Sequence, residues 1–323
     1  MIRGDSMNHG RQRLLSIFVS LVFVLSLSAC GQYMTASAET EGKDLTSDDS
    51  DTAFEHSFKS AQWIGNGGKE DPDSDDKADA AGVNAEQVLE GETGSIHYSY
   101  YLPEGYDESQ EYPLMMAMPG YDMMWFGDSS SGANLNWQGF LCWTELPEDM
   151  IVVSAQLEDW GETSARQAIE LTEYFIDNFS VDTNRIYAAG YSAGGETMSR
   201  AVSMRPDLFA AYLHGASRWD GKYDPIAENG VAVYIFMAKN DEYYGSQQAW
   251  DAYDGLYEAY RKEGMSDEDI AQVLQIQTPD NEWFAERGIA GNYHGGGNVV
   301  FEEDEILEWI VAHQKKQVDD SVN

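Results

Sequence analysis

Ile186-Tyr187-Ala188-Ala189-Gly190-Tyr191-Ser192-Ala193-Gly194-Gly195 is the stretch on which the reading of this chain turns. An apolar run that ends in Gly-x-Ser-x-Gly and passes into Glu196 to Met204, a segment of helical composition, predicts a strand, a sharp turn and a helix. Ser192 is then on a strained strand-to-helix turn, and Gly190 and Gly194 are required because larger side chains would collide there. Ser192 is the candidate nucleophile of this pattern.

A serine needs a base to remove its proton, and the chain holds six histidines. His9 lies in an expected signal segment and His56 in an expected tether, His97 alternates within an expected first strand, and His313 is on an expected closing helix. His214 ends a strand just after the elbow helix and reads as a core histidine. His294, in Asn292-Tyr293-His294-Gly295-Gly296-Gly297, stands in an expected loop before the last helix, where it can reach across strand ends. The base needs an acid to orient its ring. Asp241 follows directly on Val231 to Ala238, the most hydrophobic strand, at the end where sites are built on parallel sheets. Glu242 and Asp224 are weaker substitutes. Backbone donors for a developing oxyanion are expected at Ala193 and in Pro119-Gly120-Tyr121; proline has no N–H, which leaves Gly120 or Tyr121, with Tyr121 the choice.

Outward from these residues, short apolar runs alternate with helical segments from Gly91 onward, the pattern of βαβ units and an α/β fold with a mostly parallel sheet. Strands are expected at 95–102, 112–118, 151–155, 185–189, 210–213, 231–238 and 273–278, and helices at 162–179, 193–204, 246–263 and 302–316. Only fifteen residues separate Gly215 from Val231, too few for a large helical lid, so an open cleft is expected. Aromatic residues from Trp125 and Phe126 through Trp137, Trp143 and Trp160 to Trp219, Tyr243, Tyr244 and Trp283 fall in segments near the strand ends, available for core or for stacking on a ligand.

Upstream, Arg3, Arg11 and Arg13 precede the apolar run Leu14 to Leu27, and Leu27-Ser28-Ala29-Cys30 closes it. This is a signal-peptide pattern. Residues 31–90 are rich in Ser, Thr, Asp, Glu and Gly and read as an acidic flexible tether. Within it Asp71, Asp73 and Asp75 have calcium-loop spacing, but Asp76 and Gly82 stand where that loop needs Gly and Glu, so no metal is expected. No phosphate-cradling glycine loop or zinc spacing implies a cofactor. With 19 Lys and Arg against 57 Asp and Glu, a net charge of -38, the chain lacks the basic stripe that nucleic acid requires.

Tyr101 to Tyr106 with Tyr112-Pro113-Leu114, then Asp182 to Tyr187 leading into Gly190 to Gly195, then Asp241 and His294, resemble the α/β-hydrolase superfamily. The resemblance is to its secreted esterases related to polyhydroxybutyrate depolymerases and feruloyl esterases, and to prolyl oligopeptidase-like catalytic domains. It implies an α/β-hydrolase fold over residues 91–317 with helices on both faces and a minimal lid. It further implies a Ser192, Asp241, His294 triad and a serine esterase acting on small or polymer-linked esters, with acetyl or feruloyl esters on polysaccharide as the expected class. One departure is Pro119-Gly120, where relatives carry His-Gly. Cys30 likewise resembles a lipobox cysteine, which implies lipidation and attachment to the extracellular face of a bacterial membrane by that anchor alone, leaving Cys142 a lone thiol. A prolyl oligopeptidase-like peptidase and a non-catalytic glycan-binding lipoprotein are the alternatives.

Overall fold

The computed structural model describes residues 82–125 and 133–315. Cys30, Phe126 and the tether up to residue 81 lie outside the described residues. An eight-stranded sheet is formed by β1 (Val83–Gly91), β2 (Gly94–Tyr101), β3 (Tyr112–Met118), β4 (Ile151–Gln156), β5 (Val181–Tyr191), β6 (Ala211–Gly215), β7 (Ala232–Phe236) and β8 (Leu274–Gln277), in the order β1-β2-β4-β3-β5-β6-β7-β8. The β1–β2 and β2–β4 pairs are antiparallel and every other pair is parallel.

The helices are α1 (Gln138–Thr144), α2 (Glu162–Asn178), α3 (Ala193–Met204), α4 (Asp224–Asn229), α5 (Gln247–Lys262), α6 (Asp267–Val273), α7 (Asn281–Glu286), α8 (Tyr293–Gly296) and α9 (Asp304–Val311). Alternation along the central strands fills two cores. Leu114, Met116, Ile186, Ala188 and Val233 pack with α2, α3 and α5 through Leu171, Phe175, Met198, Val202 and Leu256. Met115, Ala117, Tyr187, Ala189 and Phe236 pack with α1, α7 and α9 through Phe140, Phe284, Ile306 and Ile310. Strands buried on both faces read as unbroken apolar runs, which is why Tyr112 to Met118 and Ile151 to Gln156 are buried at every position.

Two expectations need correction. Among the described residues the sheet already includes Val83–Gly91, ahead of the expected Gly91, because β1 pairs along β2 as an edge strand, with a register shift between Asn84 and Gln87. Its sequence, Val-Asn-Ala-Glu-Gln-Val-Leu-Glu-Gly, is as polar as the tether, since an edge strand has one face to bury. The closing helix is only Asp304–Val311, because a 3₁₀ segment, Gly297–Glu302, occupies the chain before it. Of the two uses open to the aromatic residues, Trp137 and Trp143 take the core. The β6–β7 connection holds a single six-residue helix, α4.

His214 is a buried core residue of β6. Its Nε2 is 3.1 Å from the Ser217 carbonyl and its Nδ1 is 2.7 Å from the Tyr212 hydroxyl, which also donates to Gly195 O at 3.0 Å, with Trp219 packed 5.1 Å away. Burial lowers its pKa from the ordinary 6.5 to about 4, against the Ser217 carbonyl and Asp220, which raise it. The unfolded chain therefore takes up this proton first as pH falls. The stability tied to neutral His214 is whole above pH 6.5 and is lost toward pH 4, on the order of 3 kcal/mol. Denaturant unfolding of wild type and His214→Gln at pH 7 and pH 4.5 checks this. Wild type is expected to lose more stability than the variant over that interval, and parallel losses would contradict it.

Candidate active site

Ser192 follows β5 directly and caps α3, with φ 54° and ψ -123°, a left-handed conformation that a serine adopts only when its surroundings enforce it. A Cβ on Gly190 would lie 2.6 Å from the Gly194 carbonyl oxygen, and one on Gly194 would overlap the carbonyl oxygens of Met118 and Pro119. Both flanking glycines are thus sterically obligatory. The turn is pinned by Ser192 N–H donating to Gly215 O at 3.0 Å and by the Ser217 hydroxyl donating to Ser192 O at 2.7 Å.

Ser192 Oγ is 3.0 Å from His294 Nε2, and His294 Nδ1 is 2.8 Å from Asp241 Oδ2. The structure thus brings Ser192, His294 and Asp241 into one hydrogen-bonded line. Asp241 is buried at the end of the segment after β7, and its Oδ1 accepts the backbone N–H groups of Tyr243 at 2.9 Å and Tyr244 at 2.7 Å. Burial pushes its carboxyl up, but His294 and these two amides outweigh burial and hold it below the usual range. It stays ionised and keeps the Nδ1 proton of His294 turned toward it.

His294 is on the short helix α8 and not in a free loop. Four residues are too few to show a helical period in the sequence. Asn292 starts it in a left-handed conformation, φ 48°, and its Oδ1 accepts Gly295 N–H. Glu242, considered as a substitute acid, acts elsewhere. Its two oxygens accept the backbone N–H groups of Tyr293 and His294, each at 3.0 Å, and the Tyr191 hydroxyl donates to His294 O. Asp224 is remote from the site and pairs with Lys262.

The Pro119 to Tyr121 loop lies against the nucleophile, since a Cβ on Gly120 would be 3.6 Å from Ser192 Cβ. Ala193 is the first residue of α3, so its N–H is among the groups a helix start presents. Ser192, Ala193, Gly120 and Tyr121 therefore share one corner. Glu196, which the sequence reading did not single out, and Tyr244, expected there only as an aromatic residue near the strand ends, complete the surroundings. Glu196 is buried one helical turn beyond Ser192, and Tyr244 donates to its Oε1 at 2.6 Å. A glutamate four residues after the serine on a helix shares its face, a signal that could have found it. Cys142 is a buried free thiol away from these residues. Among the described residues no group of three or more His, Cys, Asp or Glu could hold a metal ion.

A strained serine between β5 and α3, an acid after β7 and a histidine before the last helix, on a sheet of order 1-2-4-3-5-6-7-8, decide the architecture. The fold is that of the α/β-hydrolase superfamily. A model of the prolyl oligopeptidase family matches residues 154–265, a stretch that includes Ser192 and Asp241 and ends before His294. A probable dipeptidyl-peptidase 5 from Emericella nidulans is 30% identical over 201 residues, 58% of this chain and 26% of that protein. Among solved structures, a thermostable esterase is similar at TM-score 0.59 and 18% identity, covering 72% of this chain and 63% of its own. The feruloyl esterase module from Clostridium thermocellum reaches TM-score 0.48 at 16% identity, covering 70% and 87%. The chain spans about a quarter of the length of the dipeptidyl-peptidase.

Because Glu242 holds the backbone of His294 and not its ring, Glu242→Gln keeps one acceptor and loses the other. We expect kcat on an activated ester to fall about 10-fold with KM nearly unchanged. Steady-state kinetics check this, and an unaltered kcat would show that the clamp does not position His294.

Proposed function

We propose that this chain is a serine hydrolase that cleaves carboxylic esters through an acyl-Ser192 intermediate. The observation that carries the reading is the relay of 3.0 Å from Ser192 Oγ to His294 Nε2 and 2.8 Å from His294 Nδ1 to Asp241, mounted on a serine held at φ 54°. His294 Nε2 takes the Ser192 proton as Oγ attacks the ester carbonyl, and Asp241 stabilises the imidazolium that forms. The oxyanion is received by the Ala193 N–H and an N–H of the Gly120 to Tyr121 loop. His294 then protonates the leaving alcohol. Water, activated by His294 in the same way, releases the acid from Ser192 and restores the hydroxyl.

The short β6–β7 connection leaves the strand ends without a large lid there, which favours bulky or polymer-linked alcohols, and acetyl or feruloyl esters on polysaccharide are the proposed class. Similarity to an esterase of TM-score 0.59 supports the fold on which this reading rests. The test is hydrolysis of p-nitrophenyl esters from acetate to octanoate and of a feruloyl ester by the full chain and by Ser192→Ala, alongside labelling by a fluorophosphonate. Turnover and labelling that both vanish in the variant are expected. A variant with wild-type turnover would sink the assignment.

A second reading, a peptidase, draws on the match to the prolyl oligopeptidase family and on the dipeptidyl-peptidase relative. It keeps the same three residues. Cleavage of a peptide amide panel with silence on every ester, labelling intact, would favour it.

The reading extends to location: Leu27-Ser28-Ala29-Cys30 supports lipidation of Cys30 and attachment to the outer face of a bacterial membrane. Expressed in a bacterium fed labelled palmitate, the wild-type chain is expected to incorporate the label and Cys30→Ala to lose it; equal incorporation would refute the anchor.

A further inference from the structure

Asp241 stands in the connection from β7 to α5, where residues 237–246 form neither helix nor strand. A segment without a hydrogen-bonded ladder does not by itself hold a side chain to a fraction of an ångström, which a working relay requires. Asp241, His294 and Ser192 nonetheless stand 2.8 and 3.0 Å apart. The Tyr191 hydroxyl, from β5, takes hold of the His294 carbonyl, but that is one point of attachment and leaves the acid free to swing about it.

The second point is Tyr244. Its backbone N–H donates to Asp241 Oδ1 at 2.7 Å, so its main chain is fixed to the acid. Its hydroxyl crosses to α3 and donates to Glu196 Oε1 at 2.6 Å. Between these two bonds its ring stands edge-to-face with the imidazole of His294, centroids 5.5 Å apart. One residue thus spans the acid, the base and the helix that begins at Ser192.

Glu196 is built as the fixed end of that span. It is fully buried on α3, one turn beyond Ser192, where a carboxylate is costly unless both oxygens are paired. Its Oε2 accepts Arg218 Nη2 at 2.9 Å. Arg218, on the segment after β6, lies side-on to Asp220, Nε to Oδ1 at 2.8 Å and Nη2 to Oδ2 at 3.2 Å. Asp220 is returned to α3 twice: its N–H donates to Ser199 Oγ at 2.9 Å, and its Oδ2 accepts Arg200 Nη2 at 2.9 Å. The acceptor that meets Tyr244 is therefore immobilised by charge-assisted bonds before the tyrosine arrives.

We propose that Tyr244 is a positioning residue of this site, and that its hydrogen bond to Glu196 sets the distance between the acid segment and the nucleophile helix. This rests on the reading of Ser192, His294 and Asp241 as the working relay. Glu242 has a separate task, since it joins the acid segment to the backbone of Tyr293 and His294. Acid and base are thereby clamped to one another, and the bond from Tyr244 to Glu196 clamps the pair to α3. Without it the pair moves as one body and the gap from His294 Nε2 to Ser192 Oγ opens.

The measurement is fluorophosphonate labelling of the full chain, followed both as a rate constant and as the final fraction labelled. The fraction reports how much protein is folded. The rate reports how well Ser192 is aligned with its base, whichever bond the enzyme cleaves. Tyr244→Phe keeps the ring and the backbone donor and loses only the bond to Glu196. It is expected to label to the wild-type extent about 10-fold more slowly. Glu196→Ala removes the acceptor and is expected to be as slow. The double variant Glu196→Ala/Tyr244→Phe is expected to be no slower than the slower single variant, because one bond is lost only once.

Tyr244→Phe at the wild-type rate, or with a lower extent and an unchanged rate, would overturn the proposal, and so would losses that multiply in the double variant. If Glu196→Ala does not fold by circular dichroism, Glu196→Gln decides. Its amide oxygen accepts Arg218 and its NH2 donates to the Tyr244 oxygen, so the span is kept by a neutral bond. It is expected to label faster than Tyr244→Phe, and a slower rate would overturn the proposal. Wild type that fails to label at all would overturn the nucleophile reading instead, a distinguishable failure.

Discussion

The first turn of α3 approaches the end of β3 so closely that nothing larger than hydrogen fits at Gly194, and Ser192 must adopt φ 54° to make the turn. The rest of the site depends on that contact. It forces the chain to leave β5, in the middle of the sheet, at an angle that raises the serine above the strand ends. The same approach brings Gly120 against Ser192 and puts the Ala193 N–H beside it. The cost of the left-handed serine is met by neighbours from other strands, since Gly215 accepts its N–H and Ser217 donates to its carbonyl. Because β5, β6 and β7 run parallel, their connecting segments converge at this one edge without further device.

Adjacent carboxylates then divide the work of holding the histidine. Asp241 takes the ring through Nδ1, and Glu242 takes the backbone of the same residue and of Tyr293. Two neighbours in sequence cannot both face one imidazole, so the second reaches around to the start of α8. A four-residue helix with a left-handed Asn292 has little stability of its own. Anchored by Glu242 and by the Tyr191 hydroxyl on its carbonyl, it can nonetheless present His294 at a fixed distance.

The parallel centre of the sheet was legible because strands buried on both faces are unbroken apolar runs: Tyr112–Met118 and the helix Ala193–Met204 fall where the sequence places them. Ser192, His294 and Asp241 were legible as residue types at strand ends. The edge strand β1 was not, because one-sided burial leaves Val83–Gly91 as polar as a linker. Short helices such as α7 and α8 carry too few residues to show a period. The roles of Glu242 and Glu196 were illegible for another reason: what each does depends on which distant atoms it meets, backbone amides for one and a tyrosine from the acid segment for the other. Trp137 and Trp143, open by sequence to core or to stacking, fill the core, where burial of large rings contributes most.

The distribution of charge around the serine follows from the same arrangement. Asp241, Glu242 and Glu196 surround His294 and Ser192, while the guanidinium of Arg218 is occupied by Glu196 and Asp220. In a chain of net charge -38 this is a field that favours a positive imidazolium and disfavours negative charge on an attacked carbonyl. Under the proposed chemistry the transition state carries both. The anionic half must then be met by backbone dipoles, which are insensitive to the surrounding carboxylates because they are fixed by the elbow itself. The steric contact at Gly194 thus aims the serine and, under the proposed chemistry, holds the Ala193 N–H at the corner where the oxyanion would form.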